Sequence, residues 1–129
     1  MGGRVCMVVQ RIKNYYPDNQ LRFMTAEKFR SLALEIPDAL EGSHMDHADF
    51  RIGGKIFATL GYPDESFGMV KLSPELQKEL IEQSPEAFVP CTGGWGQKGS
   101  TNVCLAQAKA GEVSAALKAA SKFIAAKAK

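Results

Sequence analysis

Two short stretches of this 129-residue chain carry residues that could do chemistry. The first is "EGSHMDHADFR", residues 41–51, with His44, Asp46, His47 and Asp49 at close spacing. Imidazole and carboxylate groups are zinc ligands, provided they converge on one point about 2.0–2.2 Å away. The second is "CTGGWGQKGST", residues 91–101, where Cys91, a candidate nucleophile, precedes a glycine-dense loop holding Trp95, Gln97 and Lys98.

Each stretch also has a plainer reading. On a strand, side chains alternate, so His44 and Asp46 face one way and His47 and Asp49 the other. The helical H-E-x-x-H pattern, by contrast, keeps its histidines together. Only a loop over residues 42–46 would lift that objection, and neither a metal site nor any other cofactor is expected. A nucleophilic cysteine needs a base and a group to orient that base. Neither histidine has such a context, so Cys91 reads as a buried or half-buried structural thiol and Cys104 as a core thiol in a strand. With no acid–base–nucleophile constellation, the chain does not read as an enzyme. The glycine loop lacks the spacing of a phosphate-binding Walker loop and leads into a strand instead of a helix. Two readings of Trp95 stay open. It stacks on a nucleic-acid base while neighbouring cations meet phosphate, or it covers the edge of the core within a structural turn.

The composition narrows the classes. Hydrophobic residues make up 45% and charged residues 23% of the chain, as in ordinary globular proteins. No apolar run approaches the roughly 18 residues of a membrane helix. The apolar run Val5 to Val9 follows a single charge, Arg4, and no small-residue cleavage site comes after it, so it is not read as a signal peptide. Three scattered cysteines, Cys6, Cys91 and Cys104, fit reduced thiols in a cytoplasm. The formal charge of +2 is uneven. Residues 24–129 carry 12 basic and 13 acidic groups, which excludes a strongly basic body that grips DNA nonspecifically. Residues 94–129 hold six lysines against Glu112 alone, so a polyanion should contact this third.

The elements that must position these residues follow from local patterns. Residues 1–23 carry the turn-rich break "NYYPDNQ" and read as a separate extension, with Met24 as the expected natural start of a domain spanning 24–129. "TAEKFRSLALEI" is a helix, capped by Thr25 and ended by Pro37, with Phe29, Leu32, Ala33 and Ile36 on one stripe. "HADFRI" and "KIFATL" flank the Gly53-Gly54 hairpin signal. Simple pairing from that turn sets Ile52 opposite Lys55, Phe50 opposite Phe57 and Ala48 opposite Thr59. The other face then holds Arg51 with Ile56, Asp49 with Ala58 and His47 with Leu60. "FGMVKL" is a third strand, and Ser73-Pro74 opens a helix through "PELQKELIEQS". "TNVCLAQ" is a strand after the glycine loop. A final helix buries Val113, Ala116, Leu117, Ala120, Phe123 and Ile124, with Lys118, Lys122 and Lys129 on its far side. This order predicts an α+β fold, an antiparallel sheet packed against helices.

Three blocks, "MTAEKFRSLALEIPDALEGSHMDHADFRIGGKIFATL", "GMVKLSPELQ" and "PCTGGWGQKGSTNVCL", together resemble the MmcQ/YjbR family of small bacterial proteins. The resemblance runs from about Met24 to the C-terminus. It makes Gly42 to Met45, "GSHM", family sequence and not the remnant of a cleaved tag. It implies a frataxin-like α+β sandwich and a "double-wing" DNA-binding or regulatory role, and it carries over Lys55, Lys71 and Trp95 but no catalytic residues.

With Gln97, Lys98, Lys118 and Lys122 added from the charge pattern, these residues form the expected DNA contact set. Two alternatives stand beside it. One is a protein-interaction domain, such as a homodimer, that uses a sheet face carrying Ile56, Ala58 and Leu60. The other is a small-ligand binder built on the GGWG loop and His44.

Overall fold

The computed structural model describes residues 24–44, 46–61 and 65–128. The expectations for residues 1–23 lie outside them. Met24, the first described residue, is buried in the core.

The first helix, α1 (Ala26–Leu34), starts where Thr25 accepts a hydrogen bond from the Lys28 amide at 3.1 Å. Its stripe holds as expected: Phe29, Ala33 and the following Ile36 are buried, and Leu32 packs against them. Two strands come next, β1 (Leu40–His44) and β2 (His47–Ile52), paired antiparallel with His44 directly opposite His47. The first of these has no counterpart among the elements expected from the sequence. An ion pair from Arg30 Nε to Glu41 Oε1, 2.6 Å, ties this strand to α1.

The third strand, β3 (Lys55–Leu60), follows the Gly53-Gly54 turn, where both glycines have positive φ. Ile52 pairs with Lys55 and Arg51 with Ile56, as the turn predicts. A β-bulge then shifts the register, so Phe50 pairs with Ala58 and Asp49 with Thr59. The pairings Phe50–Phe57, Ala48–Thr59, Asp49–Ala58 and His47–Leu60 are therefore corrected. One extra residue on β3 exchanges the two faces beyond the bulge. Ala58 and Leu60 turn into the core, while Thr59 moves to the opposite face beside Asp49. The apolar stripe Ile56–Ala58–Leu60 that would have suited a partner does not exist as a surface.

The sheet is completed by β4 (Phe67–Lys71), β5 (Phe88–Pro90) and β6 (Ser100–Cys104), giving six strands among the described residues in the order β1-β2-β3-β4-β6-β5, with every neighbouring pair antiparallel. The helix α2 (Pro74–Gln83) begins with Ser73 accepting from the Leu76 amide at 3.2 Å. The short α3 (Gly93–Gln97) lies within the glycine loop, and α4 (Ala110–Ala128) closes the described chain.

Helices α1 and α4 cover one face of β2, β3 and β4. Between them lies the core, in which Phe29, Phe50, Phe57, Val70, Val113 and Leu117 are fully buried. Phe29 and Phe50 meet at a centroid distance of 6.2 Å and an angle of 51°, within the range of favourable tilted aromatic pairs. The architecture is the expected α+β arrangement of an antiparallel sheet against helices. Among the described residues no helix is long and apolar enough to cross a membrane.

Candidate binding groove on the open sheet face

The face of the sheet turned away from α1 and α4 carries one continuous row across five strands. Asp49 pairs with Thr59, Thr59 with Met69, Met69 with Asn102, and Asn102 with Val89. Direct partners in a ladder project to the same side, so these residues share a surface, as do His47 and Arg51 on β2 and Lys71 on β4. A groove of about 360 Å³ lies on it. Ile56, Thr59 and Met69 form its floor. His44 and His47 stand at one end, and Lys71, Cys91, Thr92, Trp95 and Ser100 at the other.

The histidine end is organised around a buried carboxylate. Asp49 is fully buried. It accepts hydrogen bonds from Arg51 Nε at 2.8 Å and Arg51 Nη2 at 3.0 Å, and its Oδ2 lies 2.7 Å from His44 Nδ1. The Arg51 guanidinium, helped by His44 and opposed by burial, holds the Asp49 carboxyl below its ordinary 3.8. An ionised carboxylate only accepts, so Nδ1 of His44 carries the proton and Nε2 is left to bond elsewhere. Strand alternation does not separate the two histidines, contrary to the sequence argument. The chain reverses between residues 44 and 47, with Asp46 at φ 67°, and brings them back as cross-strand neighbours. Even so, no group of three or more His, Cys, Asp or Glu among the described residues is arranged to hold a metal ion.

The other end is built by the glycine loop. Gln77, buried on α2, donates from its amide nitrogen to the carbonyls of Gly96 and Ser100, both at 3.0 Å. Two glycines let the loop close. A Cβ on Gly96 would lie 1.8 Å from the Cys91 carbonyl oxygen, and one on Gly99, at φ 111°, 1.8 Å from that of Leu72. The loop so fixed holds Trp95 67% exposed, with Lys71 Nζ 5.7 Å from the centroid of its ring. Of the two readings left open, covering the core edge is the one the structure removes.

Lys71 is half-buried, and among the described residues no carboxylate pairs with it. Burial, and then the like charges of Lys127 and Lys55, push its pKa down. Cys91 donates from Sγ to Asn102 Oδ1 at 3.2 Å, and burial pushes its thiol up, away from the thiolate a nucleophile needs.

The predicted contact residues thus divide. Lys71 and Trp95 touch the groove, and Lys55 lies within electrostatic reach beside the hairpin turn. Gln97 and Lys98 are exposed at the end of α3. Lys118 and Lys122 border a separate hollow between α4 and the end of α1, lined also by Leu32 and Ile36. They therefore sit on the helical side of the molecule. Sequence reasoning did not find the His44–Asp49–Arg51 network, although the Asp49-x-Arg51 spacing already set those two on one face.

Comparisons with known proteins fit this architecture. No curated protein matches the chain. A crystal structure of the Deinococcus radiodurans protein DR2400, described as the family-model domain DUF419, superposes with a TM-score of 0.68 at 21% sequence identity, covering 83% of each chain. That likeness concerns the fold. The family model YjbR matches residues 34–121, which include β1 to β6 and most of α4. The chain belongs to the YjbR family.

Proposed function

We propose that this YjbR-family protein binds nucleic acid on the open sheet face, with a base stacked on Trp95 and phosphates at Lys71 and Lys55. The carrying observation is the exposed Trp95 ring beside a half-buried lysine that has no carboxylate partner among the described residues. Every base offers a π-face, so an exposed aromatic beside cations suits single strands of any sequence. Lys98, at the end of the same short helix as Trp95, extends the cationic rim, and Gln97 adds an exposed donor. Lys118 and Lys122 stand outside this surface. A regulatory role in a reducing cytoplasm belongs to the same reading, since Cys91 is a free thiol.

The test is binding of labelled single-stranded and duplex oligonucleotides over a series of salt concentrations. Affinity should fall with salt, with a logarithmic slope near −2 if about three phosphates are met. Trp95→Ala should weaken binding roughly ten- to hundredfold, the value of one lost stacking contact. No saturable binding at about 50 mM salt, or binding indifferent to Trp95→Ala, would remove the proposal.

A further inference from the structure

We infer that the groove is a site for a single nucleotide, its nucleobase against Trp95, its phosphate at Lys71 and its polar edge toward Nε2 of His44. The inference rests on the reading of Trp95 and Lys71 above and adds two things to it: a size limit and a third contact.

The size limit comes from the groove itself. Its volume of about 360 Å³ sits at the small end of ligand sites, which run from roughly 300 to 1,000 Å³. It is bounded by Trp95 at one end and the histidines at the other, with Ile56 and Met69 as an apolar floor. An aromatic body of one residue's size fits such a space; a duplex does not enter it. Lys71 supplies the charge complement. It is partly desolvated, and among the described residues the charges that act on it are those of Lys127 and Lys55, so an anion relieves a repulsion there as well as gaining an ion pair.

The third contact comes from the histidine end. His44 is held through Nδ1 by a carboxylate that is itself clamped by Arg51. A ring fixed on one side by a buried acceptor presents its other nitrogen in a set direction, as a carboxylate behind a functional histidine does. With Nδ1 protonated, neutral His44 accepts at Nε2 and can read an exocyclic amino group; protonated His44 donates there instead. Gly42 helps shape this end. A Cβ at that position would come within 3.0 Å of Asp49 Oδ1 and 3.3 Å of Arg51 Nε.

The chemistry named has two sources, a free nucleotide and one residue of a single strand. Trp95 is the chain's only tryptophan, so its fluorescence, excited at the red edge where nucleotides absorb little, reports directly on the groove. The titrants are 5′-mononucleotides, the corresponding nucleosides, inorganic phosphate and a short single-stranded oligonucleotide, with calorimetry as a second readout. A saturable change with mononucleotides, at least tenfold weaker with nucleosides and absent with phosphate alone, is expected. His44→Gln should weaken mononucleotides that carry an exocyclic amino group more than those that do not. Lys71→Met should reduce the preference for mononucleotide over nucleoside to near unity.

If the oligonucleotide binds and no mononucleotide does, the groove assignment falls and the nucleic-acid reading survives. If mononucleotides bind and oligonucleotides do not, the groove assignment survives and the nucleic-acid reading falls. Silence from both removes both. Circular dichroism of each variant separates lost binding from lost folding.

Discussion

Asp49 and Lys71 lie on the same face of one sheet, at opposite ends of one groove, and their charges are treated in opposite ways. Asp49 is fully buried, yet two nitrogens of Arg51 and one of His44 surround it. Lys71 is only half-buried and has an indole ring and two like charges as its electrostatic company. A buried charge whose two oxygens are both hydrogen-bonded to cationic or polar groups is a closed structural unit, because the cost of desolvation is offset within the protein. A partly buried charge left without a counter-charge is kept at a cost in stability, and such groups concentrate at functional sites. On the proposed reading the Asp49 end is architecture and the Lys71 end meets the ligand, with His44, held by Asp49, facing the same groove.

The largest expected effect breaks the closed end. Asp49→Ala removes the shared acceptor from Arg51 and His44, which water can still reach, and should destabilise the fold by about 2 kcal/mol. For a domain of this size that lowers Tm by roughly 5–10 °C. Acid titration gives the same information with a sign. The folded Asp49 carboxyl lies below its ordinary 3.8, chiefly through Arg51. The unfolded chain therefore takes up the proton first. The stabilisation is complete above about pH 4 and is lost as pH falls through the lowered folded value. The variant should lack that part of the acid dependence in a denaturant series run at several pH values. A variant melting within about 0.5 kcal/mol of wild type would show the network to be decoration.

The next effect tests the open end and should run the other way. Lys71→Met removes a partly desolvated cation from the neighbourhood of Lys55 and Lys127. At neutral pH its Tm should equal or exceed that of wild type. Because the folded Lys71 pKa is lowered, the wild type gains stability as pH rises from that value toward the ordinary lysine range, and the variant should lack this gain. Oligonucleotide affinity should fall several-fold, and its salt slope should shrink by about 0.7. A Lys71→Met protein that is clearly less stable than wild type would erase the contrast with Asp49, by making Lys71 structural too.

Legibility from sequence followed the same division between local and distant causes. Helix starts at Thr25 and Ser73-Pro74 rest on caps within three residues, and both were readable. So was the Gly53-Gly54 turn and the first two pairs after it. The bulge beyond them was not, since nothing in "KIFATL" marks an extra residue; packing of both Phe57 and Ala58 into the core decides it. Strand β1 was invisible for another reason. "LEGSH" shows no apolar alternation because it is exposed or half-exposed along its length, and among the described residues it is an edge strand paired to β2 alone. Missing β1 also hid His44's approach to Asp49, which depends on a chain reversal and not on strand spacing. The glycine loop announced that it was unusual; that Gln77 holds it and leaves Trp95 outward is a contact 18 residues distant in sequence from the ring.

The smallest effect concerns the lysines that charge counting grouped with the site. Residues 94–129 are strongly basic as a string, and Lys118 and Lys122 were the natural continuation of Lys98. In the fold, α4 packs on the covered side of β3 and β4, and both lysines border the hollow beside α1 instead of the groove. Screening in about 0.15 M salt limits unpaired surface charges to a reach near 8 Å. A Lys118→Gln/Lys122→Gln double variant should therefore bind oligonucleotides within about twofold of wild type, with an unchanged salt slope, because no phosphate contact is lost. A fall comparable to that of Lys71→Met would place nucleic acid on the helical side as well. It would also mean that basic residues on the two sides of the sheet act as one surface, which the separation of groove and hollow argues against.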